Sequence, residues 1–241
     1  LKLLLTIRTA NRAPKTNYLG VTVLGLLGQG VAADSIHIVA TDPAVGWAHQ
    51  EVRYPVWLHQ PDLHRRPNEN GIAAIDLLGL FPADWIILSE DDLEWCADPI
   101  GSMSRWLEAH ATPDRVMYRF FAFDRLTPVS AHAATAPLRE QKGSQAVALR
   151  ADDARRFAAW AKAHPLDWRP KGAPFQHRPH DGFDKLLGYW ALQDNPNMTT
   201  GLVSRPFFVR HLGTDSSLHS HGVRMDREFA GSTWSYGEVP V

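Results

Sequence analysis

Apolar runs of strand length alternate along this chain with segments whose apolar residues recur at helical spacing. Lys2 to Ile7 (KLLLTI) reads as a buried strand, and Thr16 to Leu27 as a helix stopped by Gly28 and Gly30. Ser35 to Ala40 (SIHIVA) predicts a second strand that closes on Thr41-Asp42-Pro43. Gly71 to Leu80 again has helical spacing, with Ile72, Ile75 and Leu78 near one face. Trp85 to Leu88 predicts a strand, Pro99 to His110 a helix, and Val116 to Phe123, Gln145 to Leu149 and Pro206 to Arg210 further strands. Two stretches, Arg125 to Gly143 and residues 165–182, lack periodicity and read as long loops, a common place for binding residues.

Strand and helix alternating at this spacing predict an α/β fold with a mostly parallel central sheet flanked by helices. Ligands of such sheets sit beyond the carboxyl ends of the strands. Composition narrows the function only by exclusion. With 241 residues, 44% of them hydrophobic, the chain can bury a sizeable core. A formal charge of -1 gives no global case for nucleic acid or an anionic membrane. Cys96 is the single cysteine, which rules out an intrachain disulfide and a thiolate-rich zinc site and fits a reducing, cytoplasmic setting. No apolar run approaches the ~20 residues of a membrane span.

Candidate chemistry gathers in three segments. In WIILSEDDLEW an apolar strand runs into Glu90, Asp91 and Asp92. Alternation puts Glu90 and Asp92 on one side and Asp91 on the other, and paired carboxylates suit a hard cation. A solvated turn is the plain alternative. In HDGFDKLLGYWAL, His180, Asp181 and Asp184 stand at the entrance of an apolar helix. Asp181 suits an N-cap and Asp184 a first helical turn, and either suits a general base. In RPFFVRHLGTDSSLHSHG a strand ends at His211, followed by Gly213, Ser216 and Ser217. A metal-dependent hydrolase built on Asp91, Asp92, His180 and His211 fits these residues, and so does a sugar-binding module drawing on the nine tryptophans. Trp85, Trp160 and Trp190 lie in periodic segments and read as core, whereas Trp168 and Trp234 lie in loop sequence and are the better candidates for stacking against an acceptor.

In this order the segments resemble glycosyltransferases of the GT-A type, and more narrowly the 4-β-N-acetylglucosaminyltransferases that branch the mannose core of N-glycans. The opening LLLTIRTANR is similar to that family's first strand and Thr-containing loop. LSEDD is similar to its acidic motif, and FDKLLGYW to its later Asp-x-Leu-Leu helix. The most specific match is Phe208, His211, Gly213, Ser216, Ser217 and Leu218, on its aromatic-x-x-His-x-Gly-x-x-Ser-Ser-Leu signature.

The resemblance implies a Rossmann-like GT-A catalytic domain over residues 1–222, with residues 223–241 as a tail placed to cover the site. It implies metal-dependent, inverting transfer of a sugar, GlcNAc by inheritance, from a UDP-sugar donor to a hydroxyl of a glycan or other carbohydrate acceptor. Mn²⁺ (or Mg²⁺) would be held by Asp92 and His211 with the donor diphosphate. Asp184 would be the base, with Asp181 as its alternative. Thr9, Arg8 and Arg12 would meet the nucleotide, as would Asp42 at the end of the second strand. Glu90 and Asp91 would face the ribose or sugar, and Ser144 and Gln145 would line the donor-sugar and acceptor side. Two departures bear on this. The first loop lacks the family's proline, and the Ala-, Arg- and Trp-rich chain with one cysteine resembles a bacterial relative more than Golgi members. The acceptor is therefore left open.

Overall fold

The first strand, β1 (Leu3–Thr9), is buried at every position except Arg8 and lies in the interior of a nine-stranded sheet. The computed structural model describes residues 1–9, 18–41, 56–59, 61, 65, 67–122, 126–138, 145–164, 183–212, 229 and 231–237. After β1 come α1 (Leu19–Gly28), β2 (Ile36–Ala40), β3 (Trp57–His59) and α2 (Pro67–Leu78). Then follow β4 (Trp85–Glu90), β5 (Leu93–Trp95), α3 (Pro99–His110), β6 (Tyr118–Arg119), β7 (Thr127–Pro128) and β8 (Ala133–Pro137). The described elements end with β9 (Ala146–Arg150), α4 (Ala151–Ala163), α5 (Phe183–Asp194), β10 (Thr200–Ser204) and β11 (Val209–His211).

The main sheet has the order β3-β2-β1-β4-β9-β6-β10-β8-β7. Its pairings make β3, β2, β1, β4, β6, β10 and β7 run one way, with only β9 and β8 opposed. The sheet is thus mostly parallel, flanked by helices, and Rossmann-like as the sequence predicts. Side-chain alternation divides the core into two layers. Leu5, Ile7, Ile38 and Ile87 join Trp106 and Leu107 of α3 and Leu19, Val23 and Leu26 of α1. Leu4, Val39, Leu88 and Val147 join Ile75 of α2, Phe157 of α4 and Leu187 and Trp190 of α5.

Helix ends follow local rules. Asp98 caps α3, accepting from the Gly101 amide at 3.1 Å ahead of Pro99, a residue suited to the first helical position. Gly30 takes the left-handed φ of 81° just after α1, where a side chain would be strained. The stretch from Arg125 to Gly143, read as a loop, contains β7 and β8. AATAP lacks large apolar residues, yet β8 is fixed by its ladder to β10 and by burial of Ala133, Ala134 and Ala136. The tail segment Gly231–Gly237 lies against α3. Arg105 donates to the Tyr236 carbonyl at 2.6 Å and to the Ser235 hydroxyl at 2.8 Å. Trp234, read as a sugar platform, instead packs its ring on Phe208 and Tyr236. Among the described residues, no helix is long and apolar enough to cross a membrane.

Candidate active site

β1, β2 and β4 end at one edge of the sheet, and the antiparallel β9 begins there. Arg8 is the register partner of Glu90, and the Glu90 amide donates to the Gln145 carbonyl at 3.2 Å. Arg8, Glu90 and Gln145 therefore form one lateral row, on the parity of Leu4, Leu88 and Val147 and so toward α5. The Arg8 guanidinium donates from Nη2 to Glu90 Oε1 at 3.0 Å and lies 4.8 Å from the Phe183 ring centre.

Asp91 points the other way. Thr9 donates its hydroxyl to Asp91 Oδ2 at 2.6 Å, within the buried interior. Thr22 of α1 donates to the Asp91 carbonyl at 2.8 Å and accepts from the Leu93 amide at 3.0 Å. These bonds fix the turn between β4 and β5, and that turn presents Asp92. The Asp92 carbonyl accepts from the Leu212 amide at 2.8 Å. His211 Nε2 stands 3.4 Å from Asp92 Oδ2. His211 reaches this place because β11 pairs antiparallel with β5, matching Val209 to Trp95 and His211 to Leu93. The ribbon is seated by Phe208, fully buried and stacked on Phe120 at 5.3 Å.

Glu90, Asp92 and His211 each offer a ligand atom, and these atoms lie within 4.8 Å of one another. Ligand bonds of ~2.2 Å put opposite ligand atoms about 4.4 Å apart, so a small inward movement closes this set around one divalent ion. Two carboxylates and an imidazole suit Mn²⁺ or Mg²⁺ better than a soft ion. Burial pushes the Glu90 carboxyl up from its ordinary value; Asp92 and Asp184 push the same way, while Arg8 and His211 oppose them. Burial likewise lowers Arg8, against the attraction of Glu90, Asp184, Asp91 and Asp92.

Asp184 lies in the first turn of α5, half-buried, accepting from the Lys185 amide at 2.9 Å. Its charge acts on both Arg8 and Glu90, so it belongs to the same electrostatic cluster. Two further polar atoms flank the row. Gln145 Oε1 and Thr41 Oγ1, the latter just past β2, are buried with no hydrogen-bond partner among the described residues. Such atoms call for a polar partner.

Of the residues predicted from sequence, Arg8, Thr9, Glu90, Asp91, Asp92, Gln145, Asp184 and His211 gather at this edge. Arg12, Asp42, Ser144 and Asp181 lie outside the described residues, as do His180, Trp168, Gly213, Ser216 and Ser217. Sequence reasoning passed over Thr22 and Phe183. Thr22 is the one hydroxyl in the otherwise apolar LGVTVLGLLG, and that isolation was the available signal. Phe183 opens α5 beside Asp184, and nothing local marks it as a partner of Arg8.

At the level of sequence, no protein-family model and no curated protein matches the chain. Solved structures do share its fold. Residues 1–349 of TarS from S. aureus, in complex with UDP, align at TM-score 0.50 and 11% identity over 85% of this chain. The chain spans 57% of that TarS chain. Mouse xyloside xylosyltransferase 1 aligns at TM-score 0.48 and 12% identity, covering 82% of this chain and 84% of its own. The 4-diphosphocytidyl-2C-methyl-D-erythritol synthase of Anaerococcus prevotii aligns at TM-score 0.49 and 7% identity, covering 88% and 93%. At these identities a likeness concerns the fold alone, and here it rests on the TarS alignment, a GT-A type Rossmann-like sheet.

Proposed function

We propose that this chain is a metal-dependent glycosyltransferase that moves a sugar, with GlcNAc as the leading candidate, from a UDP-sugar to a hydroxyl of a carbohydrate acceptor. The observation that carries the reading is the convergence of Glu90, Asp92 and His211 at the carboxyl end of β4, beside the α5 turn that carries Asp184. The fold shared with TarS, which was solved with UDP, supports a nucleotide-sugar donor. The His211 signature shared with 4-β-N-acetylglucosaminyltransferases supports the choice of GlcNAc.

Asp92 and His211 would hold the ion, with Glu90 as a third ligand or as a contact to the donor. When bound, a divalent ion supplies positive charge against which a departing diphosphate is stabilised. Asp184 accepts the proton of the acceptor hydroxyl as its oxygen bonds to the anomeric carbon. The bond to UDP breaks with its electron pair on the leaving diphosphate, and the displacement inverts the configuration. Asp181, Arg12, Asp42 and Ser144 belong to the same proposal as contacts from neighbouring loops. Gln145 Oε1 and Thr41 Oγ1 would take hydrogen bonds from the bound donor. Thr9 and Asp91 serve by fixing the turn that aims Asp92.

Calorimetry with UDP-GlcNAc, first with Mn²⁺ and then with EDTA, tests the donor site. Binding is expected with Mn²⁺ only, and is expected to be lost in Asp92→Ala. Asp184→Asn is expected to bind the donor normally while transfer falls ~10²- to 10⁴-fold, the usual weight of a general base. Metal-independent binding, or full activity in Asp184→Asn, refutes the assignments. Silence with every UDP-sugar refutes the transferase reading itself.

A further inference from the structure

We propose that Arg8 is a positioning residue that ties the carboxyl end of β4 to the first turn of α5, holding the ion-binding and proton-accepting halves of the site in register. The inference rests on the transferase reading above. Arg8 enters from β1, between the two halves, with its side chain only 9% exposed. On one side its Nη2 engages Glu90 Oε1 at 3.0 Å, which fixes the rotation of that carboxylate relative to Asp92 and His211. On the other side its guanidinium carbon lies over the ring of Phe183, the residue immediately before Asp184, 4.8 Å from the ring centre.

Phe183 cannot drift from this place easily. It is buried, meets Phe157 edge-on at 5.7 Å, and rests where Gly71 of α2 has no Cβ. The start of α5 is therefore clamped between α2 and the guanidinium. A lysine keeps the charge for Glu90 but offers no planar face and no fork, so it performs only half of the task. A partly buried ion pair is a weak source of stability alone, since apolar pairs of similar volume often do as well. Its placement on the row that carries Glu90 and Gln145 gives it a use there.

The test compares wild type with Arg8→Met, Arg8→Lys, Glu90→Gln and the double variant Arg8→Met/Glu90→Gln. Mn²⁺ affinity is read from the electron paramagnetic resonance of the free ion, and α5 from hydrogen exchange of peptides covering residues 183–187. Arg8→Met is expected to weaken Mn²⁺ binding roughly tenfold or more, the scale of residues that orient metal ligands. The double variant is expected to bind Mn²⁺ no more weakly than Glu90→Gln alone, because Arg8 acts through Glu90. Arg8→Lys is expected to bind Mn²⁺ within about threefold of wild type, yet to exchange the first turn of α5 faster with α4 unchanged. Wild-type Mn²⁺ affinity in Arg8→Met, fully additive losses in the double variant, or unchanged α5 exchange in Arg8→Lys each overturns the proposal. Should Arg8→Met fold poorly with Glu90 left without its counter-charge, Arg8→Lys and the double variant decide the outcome, since neither removes the cation while keeping the carboxylate. A wild type that binds no Mn²⁺ overturns this proposal together with the function above, whereas a wild type that binds it with all variants alike overturns this one alone.

Discussion

Gly71→Ala is a small change with a calculable consequence. A Cβ on Gly71 would lie 2.3 Å from Phe183 Cδ2, 2.5 Å from Cε2 and 2.7 Å from Cγ. All three contacts are far inside van der Waals range, and Cγ is the root of the ring, so rotating its tip does not relieve them. The ring would have to move bodily, disturbing its contacts with the guanidinium that faces it and with Phe157. Overpacking of this kind costs ~1–3 kcal/mol, and contact with the ring root argues for the upper end. Against it stands ~1 kcal/mol that Ala gains over Gly inside a helix. The net expectation is a loss of about 2 kcal/mol, or a Tm lower by ~4–8 °C at this chain length. Urea unfolding followed by circular dichroism measures it directly. In a Phe183→Ala background the clash is absent, and the same Gly71→Ala change is expected to stabilise by up to ~1 kcal/mol. A Gly71→Ala protein as stable as wild type, or an equal effect in both backgrounds, would refute the packing argument and weaken the case that Phe183 is clamped.

Two other expectations follow from buried polar groups. Burial, and then the neighbouring His59 with a ring nitrogen 3.1 Å away, push the His37 pKa down to about 4 from 6.5. The unfolded chain takes up this proton first, so the contribution is complete above pH ~6.5 and fades as pH falls toward the folded value. Urea midpoints are expected to fall between pH 6.5 and 5 in wild type and less steeply in His37→Leu; identical slopes would refute the assignment. Thr22→Val preserves shape but leaves the Asp91 carbonyl and the Leu93 amide without their partner, for ~1–3 kcal/mol of lost stability. Thr22→Ser is expected to restore most of it, and a Val variant at wild-type stability would show that the turn is held elsewhere.

Much of the fold was legible because its strands are buried on both faces. SIHIVA and WIILSE are continuous apolar runs, as expected where helices cover a parallel sheet. The edge opposite β3 was illegible for the converse reason. AATAP and the two-residue β7 carry no apolar alternation, and only the ladder from β10 to β8 and on to β7 makes them strands. α4 was missed although ADDARRFAAWAKA places Ala154, Phe157, Ala158 and Ala161 on one face, because small alanines give a weak periodic signal. At the site, strand alternation correctly separated Glu90 and Asp92 from Asp91. The same logic could not show that Arg8 meets Glu90, since that contact depends on β1 and β4 being neighbours in the sheet. Nor could it show the union of His211 with Asp92, which depends on a ribbon joining distant segments.

That ribbon gives the site a history as well as a shape. Arg210 and Glu94, paired across it, are 116 residues apart in sequence. At ~5–20 residues per second, the ribosome releases the acidic turn on the order of ten seconds before the imidazole that completes it. During that interval the growing protein displays Glu90 and Asp92 without the imidazole of His211 beside them. A polypeptide cut short ahead of β11 retains the negative charge and lacks the grip. On the function proposed above, ion capture waits until β11 has been made, and the ribbon ties the site to the later part of synthesis.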